Sequence, residues 1–215
     1  MAIKVFRREE KKYLINKEQY ETILKLSNNK LEKDLYFESN ICSIYFDTND
    51  NYLIKKSLDK PLYKEKIRLR SYNVPKFDSK VYLEVKKKYL GVVNKRRIEL
   101  NLSEFYKFLK TGELKESQIS KELEHYFKKY NLIPKVFIGY NRYSYIDKYN
   151  KEFRLTFDYN IRSRNEDLNL ELGDSGKLLL DSDKYIMEVK CLNSIPVWFS
   201  DILTNLNIYP VSFSK

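Results

Sequence analysis

Two short stretches, KIRLR at 66–70 and LEVKKK at 83–88, decide how this chain folds. In the first, Lys66, Arg68 and Arg70 alternate with Ile67 and Leu69; in the second, Glu84 and Lys86 alternate with Leu83 and Val85. Side chains two apart on a strand share a face, so each stretch reads as a strand with one apolar and one charged side. Asn73-Val74-Pro75 supplies a turn signal between them, and Gly91 a second one just after.

Working outward, the same alternation returns along the chain. Arg8, Glu10 and Lys12 share one face of a strand over 4–15, and Lys95 and Arg97 share one face of 92–100. Glu152, Arg154, Thr156 and Asp158 alternate with Phe153, Leu155, Phe157 and Tyr159. Glu188 and Lys190 alternate with Met187, Val189 and Cys191, and Arg142 sits mid-strand in GYNRYSY. With the strands at 41–47, 62–72, 81–87, 136–147, 152–162 and 184–192, eight strands are expected. About four helices join them. The first, at 17–26, is capped by Asn16 with Gln19 three residues on. Ser103 and Ser120 are the expected caps of the next two, and Ser194 and Pro196 start the last. A polar loop fills 163–182. Hairpin-length connections argue for an antiparallel sheet or barrel, α+β in class. No linker or repeat interrupts the chain, which reads as one domain over 1–215.

Composition narrows the chemistry. The 215 residues are 42% hydrophobic, enough for a packed core, and carry a net charge of +11. One histidine, His125, makes a Ser-His-Asp triad or a His-based metal site improbable. Cys42 and Cys191 are too few for a disulfide scaffold or a zinc cluster. Neither GxGxxG nor GxxxxGK[ST] occurs among five glycines. No run of 18 apolar residues is present, and the N-terminus lacks an apolar signal region; a soluble, cytoplasmic chain is the expectation. The charge points to a polyanion: nucleic acid, anionic lipid or a phosphate compound.

A sheet with its charged face in water is the bland explanation of the alternation. Yet these faces carry mostly Arg, Lys and Glu. Ten cations (Arg8, Lys12, Lys66, Arg68, Arg70, Lys86, Arg97, Arg142, Arg154 and Lys190) stand against Glu10, Glu84 and Glu188. Like charges ~4 Å apart repel by roughly 4 kcal/mol at an effective dielectric of 20. An eight-stranded barrel with such a lumen would draw in a polyanion, with the helices covering an apolar outside.

At these residues the chain resembles the polyphosphate polymerase domain of the vacuolar transporter chaperone (VTC) family, within the triphosphate tunnel metalloenzymes. The matching segments are Arg8-x-Glu10-x-Lys12-Tyr13, SIYFDT at 43–48, KIRLR at 66–70, LEVKKK at 83–88, KRR at 95–97, YNRYSY at 140–145, RLTFD at 154–158, MEVK at 187–190, the P-x-W of Pro196 to Trp198, and FSK at 213–215. The resemblance implies an eight-stranded antiparallel tunnel. It implies transfer of the γ-phosphate of ATP to the end of an inorganic polyphosphate chain, with Mn²⁺ or Mg²⁺. By motif position, Arg68, Arg70, Lys12, Lys86, Arg142 and Lys190 would be catalytic, and Arg8, Lys66, Arg97, Arg154, Ser214 and Lys215 would bind phosphates. Glu188 would be the leading metal ligand, with Glu10 beside it. Two departures stand out: Ser212 where the family often has a basic residue, and Glu10-x-Lys12 where related triphosphate hydrolases have Glu-x-Glu. The second leans towards the polymerase type.

Two other readings remain open. One is a triphosphatase of the same fold, with water as acceptor. The other is a non-catalytic module for polyphosphate or nucleic acid, its 19 tyrosines available for stacking. Nucleic acid is the less favoured partner, since most tyrosines fall in strand and helix patterns. A membrane-protein partner that takes up the product is left open.

Overall fold

The computed structural model describes residues 8–90 and 92–213. The chain forms two compact units interleaved in sequence: Met1–Asn40, Tyr140–Ile161 and Leu178–Lys215 make the first, and Ile41–Gly139 and Arg162–Lys177 the second.

The first unit begins with β1 (Arg8–Asn16), which pairs antiparallel with β9 (Lys184–Leu192) from Arg8↔Leu192 to Asn16↔Lys184. β9 in turn pairs antiparallel with β7 (Arg154–Arg164), Lys190 opposite Arg154 and Glu188 opposite Thr156. These registers place Tyr13, Ile15, Leu155, Phe157, Met187 and Val189 on one face, where all are buried. Helix α1 (Lys17–Leu26) adds Ile23 to that core. Asn16 caps it as its sequence foretells: its side chain accepts from Gln19 N at 2.8 Å, and the Gln19 side chain accepts from Asn16 N at 3.1 Å.

The second unit centres on a meander. The C-terminal half of β2 (Leu31–Asp47) pairs with β3 (Tyr63–Tyr72), β3 with β4 (Lys80–Tyr89), and β4 with β5 (Val92–Asn101), all antiparallel. Ile44, Phe46, Ile67, Leu69, Leu83 and Val85 point to one face. There they meet Phe105 and Phe108 of α3 (Leu102–Thr111) and Leu123 of α4 (Gln118–Tyr130). The short helix α2 (Tyr52–Leu58) has no side-chain cap at its own N-cap residue. It is held from upstream, where the Asp47 carboxylate accepts from Leu53 N at 2.8 Å and Ile54 N at 2.9 Å. The remaining strands are β6 (Ile133–Asp147) and the two-residue β8 (Lys177–Leu178). A 3₁₀ turn at Leu170–Leu172 precedes β8, and α5 (Val197–Asn205) follows β9, burying Phe199, Ile202 and Leu203 in the first unit's core.

The strand order is β1-β9-β7-β6-β2-β3-β4-β5, with β8 on β7. The α+β class, the antiparallel sheet and the helices on its apolar face agree with the sequence. Closure into a barrel does not follow: among the described residues the ladder is an open path ending at β1 and β5. Alternation fixes which face of a strand is buried, but it carries no information about which edges pair. Two caps also move. α3 is capped by Asn101, whose capping box closes on Glu104, and α4 by Ser117, whose hydroxyl accepts from Ser120 N at 3.0 Å. Ser103 and Ser120 lie inside those helices.

Candidate functional site

Each unit turns its charged side away from its core. In the second unit the registers align Ser43 and Tyr45 of β2, Lys66, Arg68 and Arg70 of β3, Tyr82, Glu84 and Lys86 of β4, and Lys95 and Arg97 of β5 on one face. Glu84 lies at its centre with a side chain only 1% exposed. Arg68, directly opposite, donates from Nε to Glu84 Oε2 at 2.7 Å and from an NH group to the Tyr45 hydroxyl at 3.0 Å. Lys95 Nζ reaches diagonally to within 2.6 Å of Glu84 Oε1. Arg70 is buried and donates to Ser43 Oγ at 3.3 Å. The Arg97 guanidinium lies 4.6 Å from the centre of the Tyr82 ring. Lys66 and Lys86 face each other, half-buried.

The field of this face is strongly positive. Burial pushes the Glu84 carboxyl up, but Arg68, Arg70 and Lys95 more than offset it and hold it below the usual carboxylate value. Burial likewise pushes the Tyr45 phenol up, and Arg68 and Arg70 pull it below its ordinary value. Burial, with Arg68 and Arg70 nearby, lowers the Lys95 ammonium despite its contact with Glu84. A phenol drawn down by cations is what an anion-seeking surface produces.

In the first unit the corresponding face carries Glu10 and Lys12 of β1, Glu188 and Lys190 of β9, and Arg154, Thr156 and Asp158 of β7. Glu188 is buried and pairs with Lys190 at 2.6 Å. Burial raises its carboxyl, and Lys190, Arg142 and Lys12 more than offset that rise. Arg142 binds the fully buried Asp158 with both arms, at 2.5 and 2.8 Å. Lys12 Nζ lies 3.7 Å from Glu10 and donates to the Phe213 carbonyl at 3.2 Å, so Phe213 approaches β1. Arg154 is opposite Lys190 in register, but its side chain is 56% exposed and pairs with Asp34 at 3.7 Å. The side chain of Arg8, together with Ser214 and Lys215, lies outside the described residues.

The structure therefore gathers Arg68, Arg70, Lys66, Lys86 and Arg97 around Glu84, and Lys12, Lys190 and Glu10 around Glu188, with Arg142 and Asp158 in the same unit. Lys95, Thr156 and Asp158, which the alternation placed on charged faces, and Tyr45 belong to these faces although the sequence assigned them no role in the site. Lys95 had a usable signal, since it shares a face with Arg97. The pairing of Asp158 with Arg142 had none, because the two are 16 residues apart in sequence.

Among the described residues no group of three His, Cys, Asp or Glu side chains could cage a metal ion. Glu188 nevertheless faces Thr156 across the strands, and Thr156 Oγ1 is buried with no hydrogen-bond partner. A carboxylate beside an orphaned hydroxyl is a hard oxygen donor set. It suits Mg²⁺ or Mn²⁺ held by one protein carboxylate and completed by phosphate oxygens and water.

A sequence model of the VTC domain matches residues 7–215. No curated protein matches the chain. Among solved structures, a putative adenylate cyclase from Bacillus halodurans is similar at a TM-score of 0.56 and 14% identity, covering 97% of this chain and 95% of that one. A putative adenylyl cyclase from Hippeastrum, described as revealing a dominant triphosphatase activity, is similar at a TM-score of 0.53 and 14% identity, covering 97% and 93%. At such identities the likeness speaks for the fold.

Proposed function

Since this chain belongs to the VTC-domain family, we propose that it transfers the γ-phosphate of ATP to the end of an inorganic polyphosphate chain. The observation that carries the reading is the cation excess around the buried Glu84, where Lys66, Arg68, Arg70, Lys86, Lys95 and Arg97 share one face and lower the Tyr45 phenol. A triphosphate carries the charge such a face needs.

In this reading an oxygen of the acceptor's terminal phosphate attacks the γ-phosphorus. A new phosphoanhydride bond forms, the bond from the γ-phosphorus to the β,γ-bridging oxygen breaks, and ADP leaves with that electron pair. No protein nucleophile is required. Catalysis rests on in-line positioning and on neutralising charge at the transferred group. Arg68, Arg70, Lys66, Lys86 and Arg97 bind phosphate oxygens on one face; Lys12, Arg142 and Lys190 do so on the other. Glu84 fixes the Arg68 fork and Lys95, so that fewer rotamers are lost on binding. Glu188, with Thr156 opposite and Glu10 nearby, would hold Mn²⁺ or Mg²⁺. Such an ion would supply positive charge to offset that of the phosphate oxygens.

The second reading, a triphosphatase with water as acceptor, is favoured by the likeness to the Hippeastrum protein. Product analysis separates the two. Purified protein is incubated with ATP and Mn²⁺ or Mg²⁺, products are resolved on a polyacrylamide gel, and free phosphate is assayed in parallel. A metal-dependent ladder is the expected result. Free phosphate without a ladder would establish the hydrolase instead.

A further inference from the structure

The end of the β4–β5 hairpin is built unlike the rest of the second unit. Leu62, Tyr89, Leu90, Val92 and Val93 are between 49% and 72% exposed, whereas Leu83 and Val85 earlier on β4 are fully buried. They cluster at one end of the hairpin, Tyr89 and Val92 on the face of Val85 and Val93 on the face of Lys88: Leu90 N donates to the Leu62 carbonyl at 3.0 Å, Tyr89 pairs with Tyr63 and with Val92, and Val93 pairs with Lys88. Leu90 has φ 47°, in the left-handed region where Gly or Asn serves a turn better than a branched apolar residue. A run of exposed apolar side chains at a strand end has no role in the core and is costly in water.

Around the patch basic side chains outnumber acidic ones. Segments 60–66 and 86–97 hold nine lysines and arginines against a single carboxylate, Glu65, which is buried. Lys87 and Arg96 pair with Glu122 and Lys95 with Glu84, and Lys66, Lys86 and Arg97 lie on the face assigned to phosphate, so the collar proper is Lys60, Lys64 and Lys88. Lys64 donates to the Ser57 carbonyl, a neutral partner, and Lys88 is exposed beside Val93. Apolar side chains at a tip with a basic collar match an anionic bilayer, whose interface accepts the former and whose headgroups attract the latter. A second copy of this chain would set the same positive collar against itself.

We propose that the β4–β5 hairpin tip, with Leu62 beside it, docks this protein on an anionic membrane surface, inserting Leu90 and Val92 between headgroups. The proposal rests on the surface alone and is independent of the activity proposed above.

The test is co-sedimentation of the full chain with vesicles of phosphatidylcholine alone or with about one-third phosphatidylserine, in saturating inorganic triphosphate so that the phosphate-binding faces are occupied. The protein should sediment with the anionic vesicles and not with the neutral ones. The double variant Leu90→Glu, Val92→Glu should lose that binding by about tenfold or more, with its melting temperature and ATP turnover unchanged. Equal binding by parent and variant, or no binding of the parent to anionic vesicles, would overturn the proposal. So would a dimer of the parent that the double variant dissolves, since the tip would then be covered by a second copy.

Discussion

Glu84 and Glu188 begin the same tripeptide, Glu-Val-Lys, in the middle of a strand, yet their surroundings differ. Across the strands Glu84 faces Arg68 on one side and Arg97 on the other, and Lys95 reaches it diagonally. Glu188 faces Lys12 on one side and the neutral Thr156 on the other, and its close ion pair is with Lys190 of its own strand. The nearby arginine, Arg142, is taken up by Asp158. Register, not the local motif, thus sets the role. Glu84 is clasped from both neighbouring strands and organises cations. Glu188 keeps an oxygen-donor neighbour and suits chemistry.

Removal of either acid breaks this comparison open. Glu84→Ala leaves Arg68, Arg70 and Lys95 mutually repelling around a hole, and should cost about 3–5 kcal/mol of stability in urea unfolding. Glu188→Ala should cost less than half of that, since it strands fewer cations. Equal losses would mean the two glutamates are structurally equivalent. Next in size, Arg142→Ala leaves the fully buried Asp158 without its bidentate partner and should cost about 3 kcal/mol. Arg154→Ala, with its side chain more than half exposed, should be nearly neutral in the same assay.

The apolar faces and the charged faces were legible in the sequence because period-two alternation is local. So was the Asn16–Gln19 cap, whose parts are three residues apart. What was hidden depended on long-range geometry. The N-terminal half of β2, over 31–40, is mostly exposed and polar, so it shows no apolar alternation to read. Helix α2 takes its capping carboxylate from Asp47, outside the usual cap position. Lys95 reaches Glu84 diagonally, Arg142 and Asp158 come from different strands, and the openness of the ladder lies in the pairing of its edges.

Acid sharpens the comparison at smaller amplitude. Both carboxyls are held below the usual 4.5, so each contributes stability that is complete above that value. That stability is lost as the pH falls below about 4.5 through the folded-state value. Glu84→Gln and Glu188→Gln should each flatten the acid limb of a stability–pH profile; an unchanged limb would contradict the ion pairs. Smallest of all, Asn16→Ala in the first unit and Ser117→Ala in the second each remove one helix cap and should cost about 1 kcal/mol, read as a shift in urea midpoint.

The central claim is that Glu188 serves phosphate transfer while Glu84 serves the scaffold. The most direct measurement is the ladder made from ATP and metal by Glu84→Gln and Glu188→Gln, each compared with the parent at equal folded fraction. Glu188→Gln should make no ladder while melting only slightly below the parent, and Glu84→Gln should melt lower still yet retain a weakened ladder. A full ladder from Glu188→Gln would contradict the account.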